Sequence, residues 1–345
     1  MMTRRGKEGF LLREHLLFWV LLLLVLLVCA AVGSVSLPLG ETARSIWRAV
    51  TGRPQLEDSL AASILLPVRL PRALCAGLVG ACLSLCGGAM QGLLKNPLAD
   101  GSTLGVSSGA SLGAVLAIAF GIAIPGLPFS GTMVMAILFA FLSLLLILAL
   151  AYRLDASLST NTIILIGVIF SMFASSFSSL IVTFAGEKVK TITFWNMGSL
   201  QGGGYQNAAI LACALLIFGG VILLHCKELN AFAVGEDNAR NIGIDVRRVK
   251  LRILVCVSVL IGISVSVSGT IGFVGLVTPH IMRLIFGPNH RRLLPATIYG
   301  GAMFLMLSDL AARTILSPRE LPIGVVTSLI GSAVFIYIFY SARRG

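Results

Sequence analysis

An all-α integral membrane fold follows from three features of this 345-residue sequence. Hydrophobic residues make up 57% of the chain and charged residues only 12%, where an average soluble domain carries roughly 25% charged residues. Mean hydropathy is +0.97, and a soluble fold of this size has too little interior to hide that much apolar surface. The apolar residues also gather in stretches close to the roughly 20 residues that a bilayer-crossing helix needs.

In chain order these stretches are 16–36, 72–94, 103–124, 131–152, 162–184, 207–226, 253–269, 271–287, 294–312 and 321–340. They predict about ten transmembrane helices in one transmembrane domain covering 1–345. Arg4, Arg5, Lys7 and Arg13 precede the first, like the charged front of a secretory signal. The run Leu16 to Val32 exceeds the usual apolar region of about 7 to 15 residues, so it is expected to stay as a first helix behind a cytoplasmic tail over 1–15. The eighth stretch is interrupted by Pro279, His280 and Arg283, which predicts a short or broken helix. Such a helix is tolerated at membrane depth only when buried in protein or lining a cavity.

The net charge of +12 is not a nucleic-acid patch, because most Lys and Arg flank apolar runs as membrane anchors do. With the N-terminus in the cytoplasm, the inner segments hold Arg13, Lys95, Arg153, Lys227, Arg240, Arg247, Arg248, Lys250, Arg252, Arg291 and Arg292 besides both charged termini. The outer segments hold fewer, so the positive-inside bias predicts N-in and C-in. Arg69, Arg72 and Arg313 run against that bias. Gly80, Gly87 and Pro97 recur at one constant offset as Gly262, Gly269 and Pro279, in the antiparallel sense of the inverted repeat that many transporters use.

The longest polar stretch, 227–252, is expected to be a cytoplasmic loop. Its centre, Gly235 to Gly243, reads as a short helix between glycines, with Glu236 and Arg240 at i, i+4 and acidic residues in the first turn, where the helix dipole favours them. Such an element serves either as a solvated linker or as a docking helix for a cytoplasmic partner. No GxxxxGK[ST] occurs, so ATP, if used, is bound by another chain. HExxH is also missing and no carboxylates are paired at membrane depth, which leaves a membrane-embedded hydrolase without a catalytic constellation. Asp309 and Arg313, and His280 with Arg283, are the ionisable groups at membrane depth. Their scarcity argues against a proton-coupled secondary transporter. Seven cysteines lie in or beside apolar runs without metal spacing, and packing is their expected role. Glycines and serines at 77, 80, 105, 109, 113, 171, 175 and 176 are expected to let the second, third and fifth helices approach closely.

Several runs then resemble the FecCD family of ATP-binding cassette importer permeases for iron-siderophores, haem and cobalamin. They are Arg69-Leu70-Pro71-Arg72; Gly88 to Asp100, reading GAMQGLLKNPLAD; Leu104 to Ala110, LGVSSGA; Trp195 to Leu200, WNMGSL; the Gly235 to Gly243 loop; Gly269 to His280, GTIGFVGLVTPH; and Glu320 to Thr327, ELPIGVVT. The resemblance implies a type II ABC importer permease fold in the bacterial cytoplasmic membrane. The partners it implies are a second permease subunit (a copy or a paralogue), two ATPase subunits that bind the ATP and magnesium, and an extracytoplasmic binding protein. It assigns Gly235, Glu236, Asn238, Arg240 and Gly243 to ATPase coupling, and Arg69, Arg72 and Arg313 to binding-protein docking. Asn96, Leu98, Ser159 and Thr160 become the cytoplasmic gate. The permease itself is non-catalytic and holds no cofactor or metal, with an iron chelate as cargo and cobalamin as the alternative. An intrachain pair with Asp309 competes for the arginines, and helix capping competes for Ser159.

Overall fold

In the computed structural model, the residues described are 9–33, 39–51, 63–101, 104–123, 131–156 and 159–342. Arg4, Arg5, Lys7, Arg53, Arg343 and Arg344 lie outside them. The helices are α1 (Leu12–Ala31), α2 (Leu39–Val50), α3 (Leu65–Leu94), α4 (Val106–Phe120), α5 (Gly131–Leu154), α6 (Thr160–Phe184), α7 (Val189–Asn196), α8 (Tyr205–Leu224), α9 (Cys226–Val234), α10 (Glu236–Asn241), α11 (Val246–Ser268), α12 (Val274–Phe286), α13 (His290–Thr314) and α14 (Ile323–Ala342). Seven of them, α1, α3, α5, α6, α8, α11 and α13, are long and apolar enough to cross a membrane. With the shorter apolar helices α4, α12 and α14, they fall on the ten predicted stretches.

Local chemistry sets the ends. Ser159 caps α6 by accepting from the Thr162 amide, Asp245 caps α11 through Arg248 N, and Asn289 caps α13 through Arg291 N. Each satisfies an amide that the first helical turn leaves without a partner. At the other end, α3 stops at Lys95 in the left-handed region (φ 50°) and α4 at Gly121 (φ 64°).

The eighth stretch forms the short helix expected of it, the 13-residue α12, with Pro279 inside it and the chain leaving helical geometry upstream at Gly269 (φ 67°) and Phe273 (φ 68°). Two other expectations are corrected. Residues 227–252 are mostly helix rather than loop, because α9, α10 and the first turns of α11 occupy them. Ser175 and Ser176 lie exposed on α6 instead of packing between helices. The repeated Gly/Pro positions also do different local jobs. Gly262 packs on Ala140, Gly269 ends α11, and Pro97 lies in a turn while Pro279 lies within a helix.

The core is organised around α3, which is almost wholly buried and packs on α13, α12, α11 and α8. Small residues make this geometrically feasible, since without a hydrophobic drive between helices in lipid, association depends on close backbone packing. A Cβ on Gly80 would overlap the Gly301 carbonyl, and one on Gly87 would overlap the Gly275 carbonyl. Gly109 and Gly113 of α4 meet α5 in the same way, at Ser143 and at the Met135 carbonyl.

The break after α11 is held by backbone contacts. Ser199 N donates to Ser268 O at 2.8 Å, Gly324 N to Met197 O at 3.0 Å and Ile323 N to Gly198 O at 3.2 Å, while the Thr270 hydroxyl donates to Asn196 O. The ends of α7 and α11 and the start of α14 are thereby joined.

Gly87→Ala is expected to lower the stability of the detergent-purified chain by roughly 1–3 kcal/mol through overpacking. Gly220→Ala, where a Cβ meets nothing within 4 Å, should stay within about 0.5 kcal/mol of the parent. Thermal unfolding of the two variants side by side checks both values.

Candidate functional site

Two polar clusters occupy opposite ends of the helices. At one end, the last turn of α1 carries no polar side chain, only Cys29, Ala30 and Ala31, so its carbonyls need donors from elsewhere. Arg69 Nη1 of α3 donates to Ala31 O at 2.8 Å and Ala30 O at 3.3 Å, and Arg313 Nη2 of α13 donates to Cys29 O at 2.9 Å. Cations at a helix C-terminus also meet the negative end of its dipole.

Beside them, Arg72 forks onto Asp309. Its Nε lies 3.0 Å and its Nη2 2.8 Å from Oδ1, while its Nη1 reaches Glu320 Oε2 at 2.9 Å. Arg313 Nε is 3.0 Å from Asp309 Oδ2. Two buried guanidiniums, Arg72 and Arg313, thus share Asp309, which is 1% exposed, and Arg72 also holds the rim residue Glu320. The i, i+4 pair of Asp309 and Arg313 forms as anticipated from spacing.

Docking by free, outward-reaching arginines is not what this geometry offers. Arg69, Arg72 and Arg313 are buried and bonded within the chain. The exposed rim that Arg72 organises consists of Glu320 and Gln201. Gln201 Nε2 donates to Glu320 Oε2 at 2.9 Å. Burial alone would raise the Glu320 pKa, but the Gln201 hydrogen bond and the Arg72 and Arg313 charges outweigh it and hold the carboxyl below its ordinary range.

At the other end, the short helix predicted between Gly235 and Gly243 is α10. The backbone requires glycine at both ends, with φ 150° at Gly235 and 87° at Gly243. Ala239 is fully buried and anchors one face. Arg240 is 52% exposed and pairs with Asp237 at 3.3 Å, not with Glu236. Asn238 is exposed, as are the apolar side chains of Val234 and Ile242 on either side. Glu236 instead turns inward, to Lys250 of α11 at 2.8 Å and to the Thr160 hydroxyl at 3.4 Å.

Asn96 and Ser159, two of the residues assigned to a gate, have local partners. Asn96 Oδ1 accepts from Leu98 N at 2.9 Å, and Ser159 Oγ accepts from Thr162 N at 3.4 Å. Leu98 is exposed beside a cavity of about 350 Å³ that Asp100, Ser107 and residues Thr270 to Phe273 of the break also line. His280 and Arg283 do not converge on one centre. Arg283 donates to Gln91 Oε1 at 2.9 Å, and His280 lies edge-on to Phe335.

Sequence reasoning missed Lys250 and Glu320. Both look like loop charges in the sequence, and their partners stand 14 and 248 residues away.

Asp309→Ala should destabilise the folded chain by about 3–5 kcal/mol, because it strands buried cations. Glu320 has a depressed folded pKa, so its stabilisation is complete above the ordinary carboxylate range and lost as pH falls through the depressed value. Glu320→Gln is expected to flatten the acid limb of a stability-against-pH curve, read by thermal unfolding between neutral and acidic pH.

The FecCD transport family matches residues 21–341. The ABC transporter permease protein YvrB of Bacillus subtilis is 40% identical over 314 residues, covering 91% of this chain and 89% of that one. The molybdate import system permease protein MolB of Haemophilus influenzae is 34% identical over 335 residues, 96% of each chain. The hemin transport system permease protein HmuU of Yersinia pestis is 40% identical over 160 residues, covering 46% of this chain and 47% of that one. Among solved structures, a metal-chelate type ABC transporter in an inward-facing conformation aligns with a TM-score of 0.84 and 31% identity, over 95% of this chain and 99% of that one. A family match over nearly the whole chain, the apolar helices and the shared fold together place this chain in the FecCD transport family, as a multi-pass permease of an ABC importer.

Proposed function

We propose that this permease carries an iron chelate, a siderophore complex or haem, into the bacterial cytoplasm by ATP-driven alternating access. The observation that carries the reading is the near-complete structural likeness to a metal-chelate type transporter. In this scheme two permease subunits, a pair of identical chains or of paralogues, enclose the pathway. Two ATPase subunits bind ATP and magnesium on the cytoplasmic side, and an extracytoplasmic protein delivers the cargo. The chain lies N-in and C-in, with α10 at the cytoplasmic face.

Gly235, Asn238, Arg240 and Gly243 form the docking surface for the ATPase, flanked by the exposed apolar Val234 and Ile242. A rigid exposed helix between glycines suits seating in a partner's groove. The binding protein docks over the rim of the ionic cluster to which Arg69, Arg72 and Arg313 belong, with Arg72 holding Glu320 in place. Asn96, Leu98, Ser159 and Thr160 narrow the cytoplasmic mouth.

A mild-detergent pull-down of the tagged chain from its native membrane should recover a P-loop ATPase; recovery of the chain alone across several detergents would sink the importer reading. In proteoliposomes holding the whole complex, ATP-dependent uptake of radiolabelled haem or ferric siderophore is the expected result. Uptake of cobalamin or molybdate instead would overturn the cargo assignment while leaving the importer intact. Arg240→Glu reverses the exposed charge on α10 and should reduce uptake about 5-fold or more, with the ATPase still recovered; uptake at the parent rate would overturn the coupling role.

A further inference from the structure

Lys250 is the least expected residue in the chain. An ammonium taken out of water costs several kcal/mol unless it is paired at close range, yet Lys250 lies in the first turns of α11 with 1% of its side chain exposed. Both Glu236 oxygens stand 2.8 Å from its Nζ, so the ammonium sits astride the carboxylate. Glu236 is the first residue of α10 and keeps 23% of its side chain exposed. Its Oε1 also accepts from the hydroxyl of Thr160, the first residue of α6, at 3.4 Å.

A single carboxylate on α10 therefore holds the starts of two membrane-crossing helices. A second contact brackets the same end, where the Arg247 guanidinium of α11 lies 4.8 Å from the Tyr152 ring near the end of α5. The asymmetry of the Lys250–Glu236 pair matters most. If α10 moved away alone, the carboxylate would be rehydrated, but the buried ammonium would lose the carboxylate that both of its 2.8 Å contacts come from. That outcome is disfavoured by more than the pair itself is worth.

Resting on the docking role of α10 proposed above, we propose that Lys250 is a positioning residue for ATPase coupling. Through Glu236 and Thr160 it makes α10, α11 and α6 move as one body. A push on α10 is thereby delivered to α6, whose exposed face carries Ser175, Ser176 and Ser179, and along α11 to the Gly269–Phe273 break. The role goes beyond holding the fold, because what the contact controls is how much helix movement each hydrolysis event produces.

The test uses the complete complex of permease, ATPase and binding protein in proteoliposomes, reading cargo moved per ATP hydrolysed. Lys250→Met is expected to lower that ratio about 5-fold or more, and the exchange Lys250→Glu with Glu236→Lys should restore it at least in part. A merely structural residue would change the amount of folded complex without changing the ratio. Thr160→Val, which removes one hydroxyl and no charge, should lower the ratio more weakly, and it decides the matter if Lys250→Met fails to assemble. Folded Lys250→Met, or in its place Thr160→Val, working at the parent ratio would overturn the proposal. Arg240→Glu is the control for the underlying reading. If it too leaves uptake unchanged, the docking assignment of α10 has failed; if it impairs uptake while the Lys250 and Thr160 variants do not, only the link has failed.

Discussion

Close backbone approach along α3 is the constraint on which the rest of this structure depends. Lipid offers apolar side chains as good an environment as a neighbouring helix does, so helices gain by packing only when their surfaces meet at short range. Gly80 against Gly301 and Gly87 against Gly275 bring α13 and α12 to that range. Short α12 and the re-entering break before it are held in place by this seam. It also brings Gln91 to Arg283 and Arg72 to Asp309, so these two arginines owe their partners to the approach that the glycines allow.

The two polar clusters solve related problems with different results. Around Asp309, guanidiniums satisfy the carbonyls at the end of α1 and one another's counter-charges, and the cluster is closed except at its Glu320 rim. Around Glu236, a buried ammonium meets a carboxylate on a short helix whose far side is exposed. The first arrangement ties helix ends together beneath a surface. The second ties a surface helix to what lies beneath it. Both put charge where the backbone or a partner already needs it, which is how a chain with so few charged residues distributes them.

The apolar stretches made the architecture legible, because a membrane-crossing helix announces itself by length and composition alone. The glycine-bounded α10 was readable for a similar reason, since its signal is local. What stayed hidden was pairing over distance. The Asp309–Arg313 pair is four residues apart and visible, whereas Arg72 and Glu320 are 248 apart and meet only once α3 and α13 have packed. Lys250 was misread because Arg247, Arg248, Lys250 and Arg252 look like a solvated loop. Val246, Val249 and Ile253 share the buried side of α11 with it, a helical periodicity that the charges obscured. The outward arginines were recognisable as anomalies, but nothing in the sequence said that the bare carbonyls of Cys29, Ala30 and Ala31 were waiting for them.

The junction that joins α7, α11 and α14 is made almost entirely of main-chain groups. Hydrogen bonds between backbone amides and carbonyls are present whatever side chains are attached, so the exposed Ser199 and Met197 are free to drift in identity while the junction persists. The exceptions are Gly198, Gly269 and Gly324, where a Cβ would press on the carbonyls of Thr270, Trp195 and Met197. Mutational tolerance in this region should therefore be patterned rather than uniform: permissive at the exposed Ser199 and Met197, and closed at three glycines that carry no polar side chain at all.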